Sequence, residues 1–576
     1  MERAGRAGGA ASTRHHPCDS SSTRRSSSSS RSLFLSERGH RIMSYTGILQ
    51  DGFSMYSANK FDEARNPEGI INLGTSENKL SVDLMATRLG QPDMYHVDPV
   101  TLCYGDWRGH AFLKKEMARF LTDYCKAPRP LDSENVVVVN GCGSLFTALS
   151  AVLCDPGDGI LIPTPYYGII DEDIRHYSGV RTVHVPLSGV PSEDETHPFQ
   201  LTVPKLETAL EAAKKEGMRI RAVILINPNN PLGDIYPADA LLSYLEFAKR
   251  HELHVIMDEI YMLTIFIKGP KFTSVLSFDR LPDPDRTHVM WSLSKDFAAS
   301  GLRVGVLYTE NRDVIRALGK VAYVHGVPGP LQYSVSQILR DREWIDRVFL
   351  PTNHERLRKA HRYMTDRLRA MGVPYLERAS GLYVWADFRQ FLQSDTFVAE
   401  KDMWIALIKS KVLISPGQAF YCPEPGWVRL VFAESMTRLK LGERRQETTV
   451  SAIEETVIPV RANVFVIVLL NGLLVTLRPD LLCVRACVWG AVGSSGGMDR
   501  LESALPKLKL LTNSAQTSKG DQPNASSALP SDSLEDLIGL LRKQIHSSDW
   551  LEQNKAEHFA KSNPEVYESF QQLLKK

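Results

Sequence analysis

Ser292-Leu293-Ser294-Lys295-Asp296, with Arg303 eight residues beyond the lysine in Gly301-Leu302-Arg303-Val304-Gly305, closes a stretch in which short apolar runs alternate with helical ones. Working back from it, residues 288–292, 254–258, 221–227, 180–186, 159–163 and 135–140 read as buried strands, and 304–309 follows as one more. Residues 145–153, 203–215 and 238–250 between them carry apolar side chains at helical spacing. That alternation predicts an α/β fold with a mostly parallel sheet covered by helices, whose ligand site lies outside the carboxyl ends of the strands. A lysine, two serines and an arginine packed into one strand-end segment suit an aldehyde cofactor that carries a phosphate. The amine would form a Schiff base, while hydroxyl and guanidinium groups would take the phosphate.

Punctuation at the earlier strand ends fits the same chemistry. Asn140-Gly141-Cys142-Gly143-Ser144 leaves a strand and opens a helix, so its backbone N–H groups and the positive helix end would face an anion. A tight turn needing glycine would look the same. Pro163-Thr164-Pro165-Tyr166-Tyr167 offers Tyr167 as a ring to stack on a flat pyridine. Asn227-Pro228-Asn229-Asn230-Pro231-Leu232-Gly233 offers Asn230 as a donor to the phenolic oxygen of such a ring, and Asp258-Glu259-Ile260-Tyr261 offers Asp258 to its nitrogen and Tyr261 as a second donor. Glu259, the next residue of an extended chain, is expected on the opposite face.

Composition narrows the field. With a net charge of +1 over 576 residues and a pI near 7.7, no bulk electrostatic attraction points to nucleic acid or an acidic membrane. The eight cysteines show no C-x-x-C pair and no histidines at zinc-ligand spacing, so no metal is expected and the thiols read as reduced. Residues 1–43 form a Ser/Arg-rich segment without an apolar signal core, read as a disordered tail of a cytoplasmic protein, with mitochondrial import as the minor alternative.

Residues 44–445 are read as one catalytic unit. Its large domain is expected over about 125–310, and a smaller α+β domain from 44–124 and 311–445, with strands near 383–387 and 428–432. Residues 446–490 form an apolar extension; within it the nearly uncharged run 462–477 falls short of the ~20 residues that span a bilayer, and membrane contact there is not favoured. Residues 491–533 read as linker and 534–576 as a helical tail.

Taken in order, these motifs resemble class I pyridoxal-phosphate-dependent aminotransferases of fold type I. Asn66-Pro67-Glu68-Gly69-Ile70-Ile71, Leu73-Gly74-Thr75-Ser76-Glu77-Asn78, the Pro-Thr-Pro-Tyr-Tyr run and Ser-Leu-Ser-Lys-Asp are similar to the 1-aminocyclopropane-1-carboxylate synthase-like branch, over about 44–445. The resemblance implies pyridoxal 5'-phosphate as cofactor, Lys295 as catalytic Schiff-base lysine, and Gly141, Cys142, Gly143, Ser144, Ser292, Ser294 and Arg303 around the phosphate. It implies a homodimer in which Tyr104 reaches the phosphate across the interface. Arg429, in Pro425-Gly426-Trp427-Val428-Arg429-Leu430, would clamp the α-carboxylate of a small amino-acid substrate, and Glu77 would bear on substrate choice. Gly105-Asp106-Trp107-Arg108-Gly109 stands where the plant synthases have His-Gly-Leu-Pro. The expected activity is therefore lyase or transaminase chemistry at the α-carbon rather than ring closure, with two alternatives: an aminotransferase proper using a 2-oxoacid acceptor, and a non-catalytic scaffold of the same fold.

Overall fold

A computed structural model describes residues 34–446, apart from 268 and 270. The expectations for 1–33, for the apolar run 462–477, for the linker and for the helical tail lie outside the described residues. The described residues up to Thr46 form a unit of their own, holding α1 (Glu37–Ser44), which starts where the Ser36 hydroxyl accepts the Gly39 N–H at 3.1 Å.

The unit from Gly47 onward begins with α2 (Ile48–Ala58), β1 (Ile71–Asn72), α3 (Val82–Leu89) and α4 (Ala111–Tyr124). Strands and helices then alternate as the sequence predicts: β2 (Val136–Val139), α5 (Cys142–Leu153), β3 (Gly159–Thr164), α6 (Ile169–Ser178), β4 (Arg181–Pro186), α7 (Val203–Lys215), β5 (Ile220–Ile226), α8 (Ala238–Arg250), β6 (His254–Asp258), β7 (Thr287–Ser292) and β8 (Gly305–Thr309). They make a seven-stranded sheet in the order β2-β8-β7-β6-β5-β3-β4. β7, β6, β5, β3 and β4 run parallel, and only β8 is antiparallel to its neighbours.

The sheet is buried on both faces because its strands are apolar at successive positions rather than alternate ones. Val136, Leu161, Val223, Val255 and Val289 pack to one side, while Val137, Ile160, Ile224, Ile256 and Met290 pack to the other. α4 and the helix Gly329–Arg340 share the first of these cores, so it draws on residues on either side of 125–310. β4 is one of the two edge strands, with both terminal residues exposed.

Further on, β9 (Tyr383–Asp387), β10 (Val412–Leu413), β11 (Ser415–Pro416) and β12 (Trp427–Val431) complete the described strands. β11, β12 and β9 form an antiparallel sheet, and β10 pairs in parallel with β1. This second group has a core of its own, in which Ile71 and Leu73 meet Leu357, Leu382, Val428 and Leu430. The N-terminal segment after β1 is thereby tied to β12, and Val431 N–H donates to the Leu73 carbonyl at 2.8 Å. Among the described residues no helix is long and apolar enough to cross a membrane.

Candidate functional site

A cavity of about 770 Å³ opens where β5, β6 and β7 end, and the segment 74–76, α5, α6 and β12 help to line it. Ten of the residues singled out in the sequence line it: Cys142, Gly143, Tyr167, Asn230, Asp258, Tyr261, Ser294, Lys295, Arg303 and Arg429.

Lys295 sits in a short helical turn directly after β7, started by the Ser292 hydroxyl accepting the Ser294 N–H at 3.0 Å. Its Nζ donates to the Ser76 carbonyl at 2.6 Å. Burial pushes its pKa down to about 8, and the cationic Arg429 adds to the effect. At pH 7 about a tenth of such amines are neutral, against less than a thousandth for an ordinary lysine, so this one is primed as a nucleophile.

Asp258 is the last residue of β6, buried, with one oxygen accepting the Ile260 N–H at 3.1 Å. Burial raises its pKa to about 7. A cationic ring N–H brought against it would offset that desolvation and keep it ionised. Tyr261, also buried, shares a 2.9 Å hydrogen bond with the Ser76 hydroxyl.

Arg429 lies in the middle of β12 and is 1% exposed. Its guanidinium sits over the rings of Phe420 at 4.6 Å and Tyr383 at 5.2 Å. Nη1 donates to Asn230 Oδ1 at 2.8 Å and Nη2 to the Gly74 carbonyl, but Nε has no partner among the described residues. A buried guanidinium left with an unused donor has capacity for an incoming carboxylate.

At the other end of the cavity, Gly141 has φ 116°, a conformation that favours glycine, and the Arg303 guanidinium packs where its side chain would be. Arg303 itself is left-handed at φ 55°, with Nη1 donating to the Ser300 carbonyl at 3.0 Å. Tyr166 and Tyr167 divide as neighbours do in a packed loop. Tyr166 is buried and stacks on Tyr421 at 5.2 Å, while Tyr167 faces the cavity.

Five expected residues do not line this cavity. Gly141 lies behind Arg303. Ser144 turns its hydroxyl back onto the Asn140 side chain. Ser292 is fully buried, donating its one hydroxyl proton to the Val304 carbonyl at 2.8 Å and lying 2.7 Å from the Ser294 hydroxyl, so Ser294 is the serine of this pair that reaches the cavity. Glu77 accepts the Ser300 hydroxyl at 3.0 Å, and its charge still acts on Lys295. Tyr104 is 92% exposed, with its ring 5.1 Å from the Trp107 ring.

Nothing in the sequence signals the roles of Ser76 and Gly74, which lie in the segment that carries the branch resemblance, where only Glu77 is expected to act, yet hold Lys295 and Arg429 through backbone carbonyls. Asp173 is likewise unmarked. Three consecutive acids follow the first two residues of α6, and nothing in their spacing marks the third as facing a cavity. The residues present fit pyridoxal phosphate: a neutralisable amine, a ring-facing carboxylate, a helix start flanked by an arginine, and an under-used guanidinium for a substrate carboxylate.

Comparisons with known proteins bear on the family and the fold. A family model for aminotransferase class I and II matches residues 68–442. The "1-aminocyclopropane-1-carboxylate synthase-like protein 1" of Takifugu rubripes is 46% identical over 554 residues, spanning 95% of this chain and 88% of that protein, so the likeness runs past residue 446. The human "Probable inactive 1-aminocyclopropane-1-carboxylate synthase-like protein 2" is 50% identical over 412 residues, spanning 71% of this chain and 72% of that one. In three dimensions the aspartate aminotransferase of Thermus thermophilus with maleate superposes with a TM-score of 0.58 at 21% identity, over 72% of this chain and 99% of that chain, and shares the fold. The chain belongs to the aminotransferase class I and II family.

Proposed function

We propose that this protein is a pyridoxal-phosphate-dependent enzyme acting at the α-carbon of an amino acid, with lyase or transaminase chemistry of the 1-aminocyclopropane-1-carboxylate synthase-like kind. One observation carries the reading: an amine with its pKa lowered to about 8, a buried carboxylate and a guanidinium with an unused donor converge on one cavity. When bound, pyridoxal phosphate would supply an electrophilic aldehyde and a ring that withdraws electrons from the carbon beside the captured nitrogen.

The chain's own residues do the rest. Arg429 binds the α-carboxylate and fixes the orientation of the amino acid, desolvated between two aromatic faces. Lys295 Nζ, once its amine is free, takes the α-proton and returns it; a pKa near 8 suits both directions near neutral pH. With the cofactor bound, Asp258 would hold a proton on the ring nitrogen, Asn230 and Tyr261 would donate to the phenolic oxygen, and Tyr167 would cover the ring. Cys142, Gly143, Ser294 and Arg303 would hold the phosphate.

Tyr104 fits the same reading if two copies pair. It stands with Trp107, Tyr323, Val100 and Leu102 among exposed apolar side chains, a surface that a second copy would cover while Tyr104 reaches the partner's phosphate.

A second reading is favoured by one finding, the half-identical human relative named probable inactive. Such a protein would bind the cofactor and perform no proton transfer. Incubation of purified protein with cofactor and a panel of amino acids in deuterated water separates the two: the enzyme reading requires deuterium at the α-carbon of at least one substrate, and mass analysis then sorts transamination from elimination and ring closure. Bound cofactor with no exchange on any amino acid contradicts it.

A further inference from the structure

Near its start, after Ile169 and Ile170, α6 carries Asp171, Glu172 and Asp173, and the three carboxylates have different surroundings. Asp171 holds Arg175 at 2.6 Å, the Tyr421 hydroxyl at 3.2 Å and the Thr182 hydroxyl. Glu172 accepts the Gln50 amide. Asp173 has no hydrogen-bond partner for its carboxylate among the described residues, and it lines the cavity.

Its position is specific. A side-chain carbon added at Gly143 would sit 3.0 and 3.2 Å from the two Asp173 oxygens, while the Arg303 guanidinium fills the corresponding space at Gly141. An acid and a base therefore pack against alternate residues of one loop at the positive end of the twelve-residue α5, without forming an ion pair with each other. A ligand between them must accept from Arg303 and from the helix N–H groups, and must meet Asp173 as well. A phosphate monoester meets that demand if one proton lies between it and the carboxylate. The same cavity holds the unpartnered Nε of Arg429 at its far end, which also marks it as built for a ligand.

We infer that Asp173 holds the cofactor phosphate as a neutral acid, donating a hydrogen bond to it, so that phosphate binding retains one proton on this pair. The inference rests on the cofactor reading above. Burial and the neighbouring Glu172 raise the Asp173 pKa to about 7, with Arg303 opposing them. The other titratable groups that feel its charge, Cys142 and Tyr167, are pushed up by burial and stay neutral between pH 7 and 9. Lys295 and Asp258 titrate near that range, but they meet the aldehyde and the ring, which phosphorylated and unphosphorylated pyridoxal share.

The test compares affinities of the cofactor-free protein for pyridoxal phosphate and for pyridoxal, by absorbance titration from pH 6 to 9. The phosphate itself is dianionic above about pH 7. In the wild type, the advantage of the phosphorylated form should shrink about fiftyfold between pH 7 and pH 9, the consequence of losing one proton with a pKa near 7. In Asp173→Asn, whose amide keeps a donor, the advantage should be flat between pH 7 and pH 9. In Asp173→Ala it should be flat over the same range and, at pH 6, about tenfold smaller than wild type, the loss of one hydrogen bond to a charged group. Retained pyridoxal binding shows that a variant is folded. A flat wild-type profile, an Asp173→Asn profile that follows wild type, or an Asp173→Ala protein as tight as wild type at pH 6 overturns the inference. Failure of the wild type to bind either aldehyde overturns the cofactor reading instead.

Discussion

Asp258 and Glu259 are adjacent at the end of β6, yet their carboxylates face opposite ways: Asp258 lines the cavity, while Glu259 accepts the Ser274 hydroxyl at 2.6 Å and the Val275 N–H at 2.9 Å in the core. The strand's two-residue period separates a group that acts on a ligand from one that anchors a loop. Both are buried and both have raised pKa values, about 7 and about 8. Their variants should nonetheless behave differently.

For Asp258, the folded pKa lies above the unfolded value of 3.8, so the folded state holds the proton longer. Its contribution to stability is greatest at low pH and is lost as pH rises from about 4 to about 7. In cofactor-free protein, Asp258→Asn should therefore gain on wild type by on the order of 2 kcal/mol between pH 5 and pH 8. Denaturant unfolding at the two pH values measures it. Bound pyridoxal phosphate should reverse the order, because the variant cannot hold a proton on the ring.

Glu259→Ala should act on the fold alone. It leaves the Ser274 hydroxyl and the Val275 N–H without acceptors, at about 1–3 kcal/mol for each buried group. A lowered unfolding free energy with unchanged cofactor affinity in the folded fraction is the expected result, read by unfolding and by titration of the same preparation.

Arg429→Lys keeps a cation but not the planar fork, and it leaves Asn230 Oδ1 and the Gly74 carbonyl short of a donor. Amino-acid affinity should fall about ten- to a hundredfold, the weight of a charge-assisted hydrogen bond, while cofactor affinity changes little. Spectral titration of the loaded enzyme with amino acid, beside cofactor titration of the apo form, separates the two effects.

Tyr104 is predicted to serve the partner's site, so two variants defective in different sites should complement. Mixed Tyr104→Ala and Lys295→Ala proteins, exchanged as subunits, should turn over faster than either alone, because hybrid pairs hold one intact site. Gel filtration of Trp107→Asp should show a smaller species than wild type.

Much of this was legible in the sequence because strand ends in a parallel sheet gather at one edge. Residues 203–215, 238–250 and 254–258 have the boundaries their periodicity predicts, and Lys295, Asp258 and Asn230 share a cavity because each lies at or just past the carboxyl end of a parallel strand, while Arg303 joins them from just before the antiparallel β8. What escaped has no periodic signal. Ser76 and Gly74 act through backbone carbonyls, which any residue type presents. Asp173 looks like a helix-start carboxylate of the ordinary kind, and only its missing partner and its closeness to Gly143 set it apart. Ser292 was expected at the phosphate, but its hydroxyl is used to start the turn that carries Lys295.

The central claim is that Lys295 is the amine to which the cofactor is joined. Loading the protein with pyridoxal phosphate, reducing it with borohydride and mapping the peptides by mass spectrometry tests it most directly. The account predicts one pyridoxyl modification, on the peptide containing Lys295, and none in Lys295→Ala. Modification of a different lysine, or a Lys295→Ala protein that is still stoichiometrically labelled, would contradict it.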